Sequence, residues 1–184
     1  TSSIEHPSVL NTCKWLEKMG FVVTFLPVDE TGKIDPADVE KSIRDKTCLL
    51  SIMTANNETG TIQPVREISE IARRHDVLFH TDAVQAAGKI PLDVEELGAD
   101  MLTLSAHKIY GPKGVGALYL RKGIEPENII HGGSQEHKKR AGTENTAGII
   151  GFGKAAELAQ SRIGKYQKLA ELRDMLESII RDAV

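Results

Sequence analysis

Residues 100–120 read "DMLTLSAHKIYGPKGVGALYL". Two apolar runs, "DMLTL" and "VGALYL", flank a polar turn that holds Ser105, His107 and Lys108 and breaks at Gly111-Pro112. Apolar runs bounded by turn residues predict two strands with a short connection. Lys108 therefore stands just past the end of a strand, between a hydroxyl and a Gly-Pro break. A solvated surface lysine needs none of that company.

Outward from this stretch, strand and helix patterns alternate. Upstream, "VLFHTDA" (77–83) and the continuous apolar run "TCLLSIMTA" (47–55) predict strands, the second buried on both faces. "FVVTFLPV" (21–28) is β-branched and aromatic, and predicts another strand. "PSVLNTCKWLEKMG" (7–20) predicts a helix with Pro7 at its start, Val9, Leu10, Cys13 and Leu16 on one stripe, and Gly20 as its stop. "PADVEKSIR" (36–44), "VREISEIARRHD" (65–76) and "VEELGA" (94–99) predict shorter helical pieces. From about Thr146 the pattern is helical to the end, with Ile163, Tyr166, Leu169, Leu172, Leu176 and Ile179 on one face and Gly164 as a local weakness. This order predicts an α/β domain, with a predominantly parallel sheet and helices on both faces in three layers, α/β/α. In such sheets ligands sit beyond the carboxyl ends of the strands. The polar clusters "NNE", "HTDAVQ" and "SAHK" all fall there.

The 184 residues are 40% hydrophobic and 27% charged, ordinary for one globular domain with a sizeable core. A net charge of -3 gives no general pull toward nucleic acid or anionic membrane. No apolar run approaches the roughly 20 residues of a membrane span, and "TSSIEHPS" has no signal-peptide pattern. Cys13 and Cys48 stand far apart without a C-x-x-C, which argues against a structural zinc site or a disulfide scaffold and fits a reducing cytoplasmic setting. There is no initiator Met, and both ends read as cut, so a piece of a longer protein is expected.

Taken singly, each polar cluster has a plain structural reading. Asn56 and Asn57 suit a turn, Asp82 suits a cap, and His80 suits a satisfied core histidine. His80 and Asp82 are spaced like two metal ligands, but no third ligand stands at a convincing spacing, and no metal is expected. "GPKGVG" lacks the Gly-Lys-Ser/Thr ending of a phosphate-cradling loop, so its glycines serve the turn. "HGGSQEHKKRAGT" (131–143) reads as a basic surface loop. Together they read differently. An acid ends one strand and a lysine follows a later one, both on the ligand edge of one sheet. An aldehyde cofactor with a pyridine ring needs that pair. The amine forms a Schiff base, and the carboxylate keeps the ring nitrogen protonated so that the ring takes up electrons.

"IEHPSV", "ANNETGTIQPV", "HTDAVQAAGKIPLDV", "LSAHKIYGPKGVGALYLRKG" and "HGGSQEHKKRAGTEN" resemble the cysteine desulfurases of the NifS/IscS type, in the class V aminotransferase group. The resemblance runs over essentially the whole chain, in order. It implies the fold of a transferase large domain with pyridoxal 5'-phosphate as cofactor. Residues 1–155 would be that cofactor-binding domain, truncated at its N-terminus, and 156–184 a long helix leading toward a small C-terminal domain. The resemblance makes Lys108 the Schiff-base lysine and Asp82 the partner of the pyridine nitrogen. Gln85 would bond the phenolic oxygen, and His6 would stack on the ring and move protons. Asn57 would face substrate and cofactor, and Ser105 and His107 would hold the phosphate. Thr143 would complete the phosphate site of the other subunit, which implies a homodimer. The implied reaction takes L-cysteine to L-alanine and delivers sulfur, as a persulfide, to a scaffold protein for iron–sulfur clusters or thiolated nucleotides.

The family also uses a Gly-Ala-Thr phosphate turn upstream of these residues, and a reacting cysteine and a carboxylate-binding arginine downstream of them. Cys13 and Cys48 do not match that cysteine and read as small core hydrophobes, so these residues alone are not expected to turn over substrate. Ser134 stands where glycine is usual, and "HKKR" (137–140) adds positive charge near Ala141. Selenocysteine lyase, the SufS branch, and a truncated non-catalytic paralogue kept for its interaction surface are the rival readings. "EH" with "NNETG" favours NifS/IscS over SufS.

Overall fold

The computed structural model describes residues 1–183, the side chain of Gln167 excepted. β2 (Leu78–Asp82) is central. It pairs in parallel with β1 (Leu49–Ser51) and with β3 (Met101–Ser105), and β4 (Gly116–Leu120) closes the edge antiparallel to β3. The fold is the expected α/β type with a mostly parallel sheet.

One face of this sheet makes the core. Leu50, Phe79 and Leu102 are each at most 4% exposed. They share the main hydrophobic cluster with Val39 of α2 (Pro36–Ser42) and with Ile68, Ile71 and Ala72 of α3 (Val65–Arg74). Their helical spacing is what makes 65–74 an amphipathic helix, and burying a side chain such as Phe79 or Ile68 stabilises by about 1.5–3 kcal/mol. Thr81 and Thr54 lie within this interior and satisfy one another, Oγ1 to Oγ1 at 2.7 Å. Gln63 is another buried polar group whose hydrogen bonds are made: its Oε1 accepts the Ile34 N–H at 2.9 Å, and its Nε2 donates to the Gly32 carbonyl at 2.6 Å.

Four expectations are corrected. "TCLLSIMTA" is not buried on both faces, since Leu49 is 47% exposed and β1 covers three residues. Leu49, Leu78 and Met101 line an open groove of about 610 Å3 at the amino ends of the strands, so that end of the second face is wet. Cys48 lines the same groove and is exposed, not a core residue. "FVVTFLPV" forms no strand. It makes one parallel bridge, Leu26 to Ser2, and Val22 is 79% exposed. Its β propensity meets a pairing partner only at Thr1–Ser3. The helix expected over 156–184 is two helices. α6 (Thr146–Gln160) ends at Ser161, a 3-10 turn follows at Ile163–Lys165, and α7 (Tyr166–Ala183) starts anew. Gly164 sits in this break, where its weak helix propensity is felt. Val184 lies outside the described residues.

Elsewhere the expected helices stand. α1 (Pro7–Lys18) starts on its proline, and its stripe Val9, Leu10, Cys13 and Leu16 is half-buried rather than fully covered. α4 (Val94–Leu97) is one turn capped by Asp93, which accepts the Glu95 N–H at 2.8 Å.

Candidate active site

The lysine turn is built by a simple periodicity. Ala106–Ile109 is a 3-10 turn, in which residues three apart share a side. Ala106 and Ile109 are buried at 0% and 9% exposure, which leaves His107 and Lys108 facing solvent. Tyr110 ends the turn in the left-handed region at φ 66°, and the Gly111 N–H closes it on the Ala106 carbonyl at 2.8 Å. A Cβ at Gly111 would lie 2.9 Å from that carbonyl oxygen and 3.1 Å from Ala155 Cβ of α6. The glycine lets α6 seat directly against the turn. Lys108 is exposed and, among the described residues, neither hydrogen-bonds nor ion-pairs. Its neighbours Ser105 and His107 bond each other, Oγ to Nδ1 at 2.8 Å, and the His107 Nε2 has no partner among the described residues.

Asp82 is the last residue of β2 and is 8% exposed. Its Oδ1 accepts the Val84 N–H at 2.9 Å, an Asx turn that starts the next loop. Among the described residues nothing else donates to this carboxylate. β2 and β3 run in parallel, so Asp82 and the lysine turn leave the sheet at the same edge.

His80, on the same face as Asp82, is the satisfied histidine of the plain reading. Its Nδ1 lies 2.7 Å from Ser51 Oγ, and its Nε2 lies 2.8 Å from Thr103 Oγ1. Burial lowers its pKa, against the opposing pull of the Asp82 charge, so the ring is neutral and both nitrogens are taken.

The start of the chain meets this edge as well. His6 caps α1, with Nδ1 accepting the Ser8 N–H at 3.2 Å and lying 2.8 Å from Ser8 Oγ. A backbone N–H can only donate, so Nδ1 carries the lone pair and the ring proton sits on Nε2. The "NN" pair divides its labour. Asn56 is 7% exposed and structural: its Nδ2 donates to the Ile4 carbonyl at 2.7 Å, and its Oδ1 accepts the Glu58 and Thr59 N–H groups. Asn57 is exposed beside it. Gln85 is half-buried in the loop after Asp82, and its Oε1 accepts from Lys89 Nζ at 2.7 Å. Thr143 is exposed in the 131–143 loop, which contains a turn at Gln135–Lys138 (α5) with Glu136 and His137 left-handed.

Two residues at this edge escape a reading of the sequence. Glu5 is 3% exposed, and its Oε1 accepts from Ser2 Oγ at 2.6 Å and from the Met53 N–H at 3.0 Å. Its Oε2 is buried and has no partner among the described residues. Burial pushes this carboxyl up to about 6, with the Asp82 charge adding to the rise and the two hydrogen bonds opposing it. Lys89 is the other. Its spacing of four from Gln85 was visible in "QAAGK", whereas nothing local in "IEHPSV" announces that Glu5 reaches Met53.

The groove of about 610 Å3 lies at the opposite edge, beside Cys48 and Arg121. Unspent chemistry, not concavity, marks the carboxyl edge as the site. It offers a free amine, a buried carboxylate with one oxygen to give, a hydroxyl–imidazole pair and a second imidazole.

Comparison with known proteins identifies the family. The Aminotransferase class-V family matches residues 1–182. A cysteine desulfurase IscS of Dictyoglomus turgidum is 60% identical over 175 residues, 95% of this chain and 44% of that protein. A NifS-like protein of known structure superposes with a TM-score of 0.95 at 44% identity, covering 98% of this chain and 50% of its own. A structure of SspA in complex with cysteine gives a TM-score of 0.83 at 50% identity, covering 85% of this chain and 46% of its own. The chain thus spans about half the length of the relatives it matches. It belongs to the class V aminotransferase family.

Proposed function

We propose that the chain is the cofactor-holding part of a cysteine desulfurase that uses pyridoxal 5'-phosphate. The observation that carries this reading is that Lys108 and Asp82 leave the sheet at one edge, where, among the described residues, the amine has no partner and the carboxylate holds only the Val84 N–H. The donor set fits the cofactor. Lys108 would be the amine for its aldehyde, Asp82 the acceptor for its ring N–H, Gln85 the contact to its phenolic oxygen, and the bonded pair Ser105 and His107 would hold its phosphate. His6 covers the ring, and Asn57 faces the substrate side. When bound, the cofactor supplies an electron sink for the substrate α-carbon.

The chain's own contribution is binding, orientation and proton placement. Asp82 is buried enough for its charge to act at low dielectric, and the Asx turn fixes its rotamer. Lys108 lies within a turn pinned by Ala106 and Ile109, so its side chain is directed outward from a fixed backbone. His6 presents an Nε2–H, because Nδ1 is held by Ser8.

A relative solved with cysteine and others named cysteine desulfurase support L-cysteine as substrate, L-alanine as product and sulfur as cargo. Cys48 lies at the other edge and Cys13 is half-buried in α1, so neither is placed to take that sulfur. A cysteine elsewhere in the full-length protein does so and hands it to a scaffold partner. The working form is a homodimer in the cytoplasm, in which Thr143 completes the partner's phosphate site. No described helix is long and apolar enough to cross a membrane.

The test is attachment. Full-length protein loaded with pyridoxal phosphate and reduced with borohydride should carry the cofactor on Lys108, and Lys108→Ala should lose it. A label on another lysine, or none on the parent protein, overturns the reading.

A further inference from the structure

We propose that Lys89 is a positioning residue, which fixes the Gln85 amide as a donor toward an anionic oxygen in the site and stands behind it as a positive charge. This rests on the placement of Gln85 at the phenolic oxygen of the cofactor.

The argument is one of donors and acceptors. After Asp82 the chain makes a helical turn, with the Ala87 N–H on the Ala83 carbonyl at 2.9 Å and the Ile90 N–H on the Ala86 carbonyl at 3.1 Å. Residues four apart share a side of such a turn. Lys89 Nζ donates there to both the Gln85 main-chain carbonyl, at 2.9 Å, and the Gln85 Oε1, at 2.7 Å. An ammonium cannot accept a hydrogen bond, so it takes the amide oxygen and leaves the NH2 as the free end. That NH2 has no partner among the described residues. The free end of Gln85 can therefore only donate, to an acceptor.

The turn is also seated against the lysine turn. Gly88 has φ 70°, and a Cβ there would lie 2.8 Å from Ala159 Cβ and 3.2 Å from Ile109 Cγ2, the residue after Lys108. Among the described residues no carboxylate pairs with Lys89. Its pKa is lowered by burial first and by the Lys108 charge second. The protein keeps a half-buried cation here without a counter-ion, which is costly unless an anion arrives. The charged groups at this edge are Lys108 after β3, Asp82 at the end of β2 and Glu5 beside it. Lys108 is the one that acts on Lys89.

The experiment is a pH titration of the visible absorption of full-length protein loaded with pyridoxal phosphate, alongside its affinity for the cofactor. A donor and a positive charge near the phenolic oxygen favour loss of the proton shared between that oxygen and the lysine nitrogen. Lys89→Met should therefore raise the midpoint by about one pH unit, a tenfold change in proton affinity. Lys89→Arg should shift it much less. Lys89→Gln, which keeps a donor without the charge, should move it in the same direction by a smaller amount, and serves if Lys89→Met is unstable. Gln85→Ala should also raise the midpoint. If Gln85→Ala shifts it and the uncharged variants of Lys89 do not, the role of Lys89 is wrong. If none of them shifts it, the placement of Gln85 at the ring is wrong, and the inference falls with it.

Discussion

Asp82 and Thr103 are register partners across the parallel β2–β3 ladder. Partners in a ladder share a face, so Thr103 and, two residues on, Ser105 lie on the side of the sheet that carries Asp82. His80 joins that side through Thr103, while Phe79 and Leu102 point to the core. The acid ends its strand while β3 still has two residues to run, and Lys108 follows three residues after that. The sheet thus delivers acid and amine to one edge without any long loop, on the face that α3 does not fill.

Asp82 has two separable duties. Asp82→Asn keeps an oxygen for the Val84 N–H, so stability should change by no more than about 1 kcal/mol. Cofactor attachment to Lys108 should survive. Sulfide release from cysteine by the full-length enzyme should fall at least about a hundredfold, because an amide cannot hold a ring N–H charge. Asp82→Ala should lose the turn as well. Turnover within a few-fold of the parent in Asp82→Asn would refute the ring-nitrogen role.

Gly111 and Gly114 provide a paired test of the lysine turn. An alanine at 111 meets the Ala106 carbonyl and Ala155, and should cost about 1–3 kcal/mol as the turn and α6 part. At Gly114, φ is 76° with nothing within 4 Å, so alanine pays only for its backbone, about 1 kcal/mol. Thermal melts should rank them so, and Gly111→Ala alone should also weaken cofactor attachment. Equal effects on attachment would show that the contact with α6 does not position Lys108.

The β2 strand, α3 and the two strands around Lys108 were legible because their signals are local. So were Asp82 and Lys108, since strand ends can be read from apolar runs. "FVVTFLPV" misled because a strand needs a partner, and its partner is not written in those eight residues. Leu49 and Cys48 misled because an apolar run does not say which face is covered. Glu5 was illegible for the same reason at the level of one side chain. Its hydrogen bond to Met53 spans 48 residues, and no spacing rule reaches that far.

The two cysteines should differ in reactivity. Cys48 is exposed, whereas burial raises the pKa of the half-buried Cys13. A thiol reagent at mildly alkaline pH should label Cys48 first. A full-length Cys13→Ser, Cys48→Ala double variant should still release sulfide from cysteine. Loss of sulfide release with cofactor bound and the fold intact would assign the sulfur-accepting thiol to one of them.

Glu5 should make stability pH-dependent. Its folded pKa of about 6 stands above the usual 4.5. A raised acid contributes stability that is fully present below the unfolded value and is lost as pH rises through the folded one. Glu5→Gln does not titrate, so its stability relative to the parent should rise by about 2 kcal/mol between roughly pH 4 and pH 7. Urea unfolding of both proteins across that range measures it. A constant difference would mean that Glu5 ionises in the fold as freely as in the open chain.

Thr143 separates a site made within one chain from a site shared by two. It is exposed and, among the described residues, makes no hydrogen bond within its own chain. Thr143→Val should weaken pyridoxal phosphate binding by about tenfold, the worth of one hydrogen bond to a charged group, and leave the melting temperature of the apo-protein unchanged. Mixing decides the geometry. Full-length Lys108→Ala subunits lack the amine but carry Thr143, and Thr143→Val subunits have the reverse defect. If the threonine serves the partner's site, hybrid dimers of the two gain one intact site and bind half an equivalent of cofactor at parent affinity. If it serves its own, every site in the hybrid keeps a defect, and mixing restores nothing.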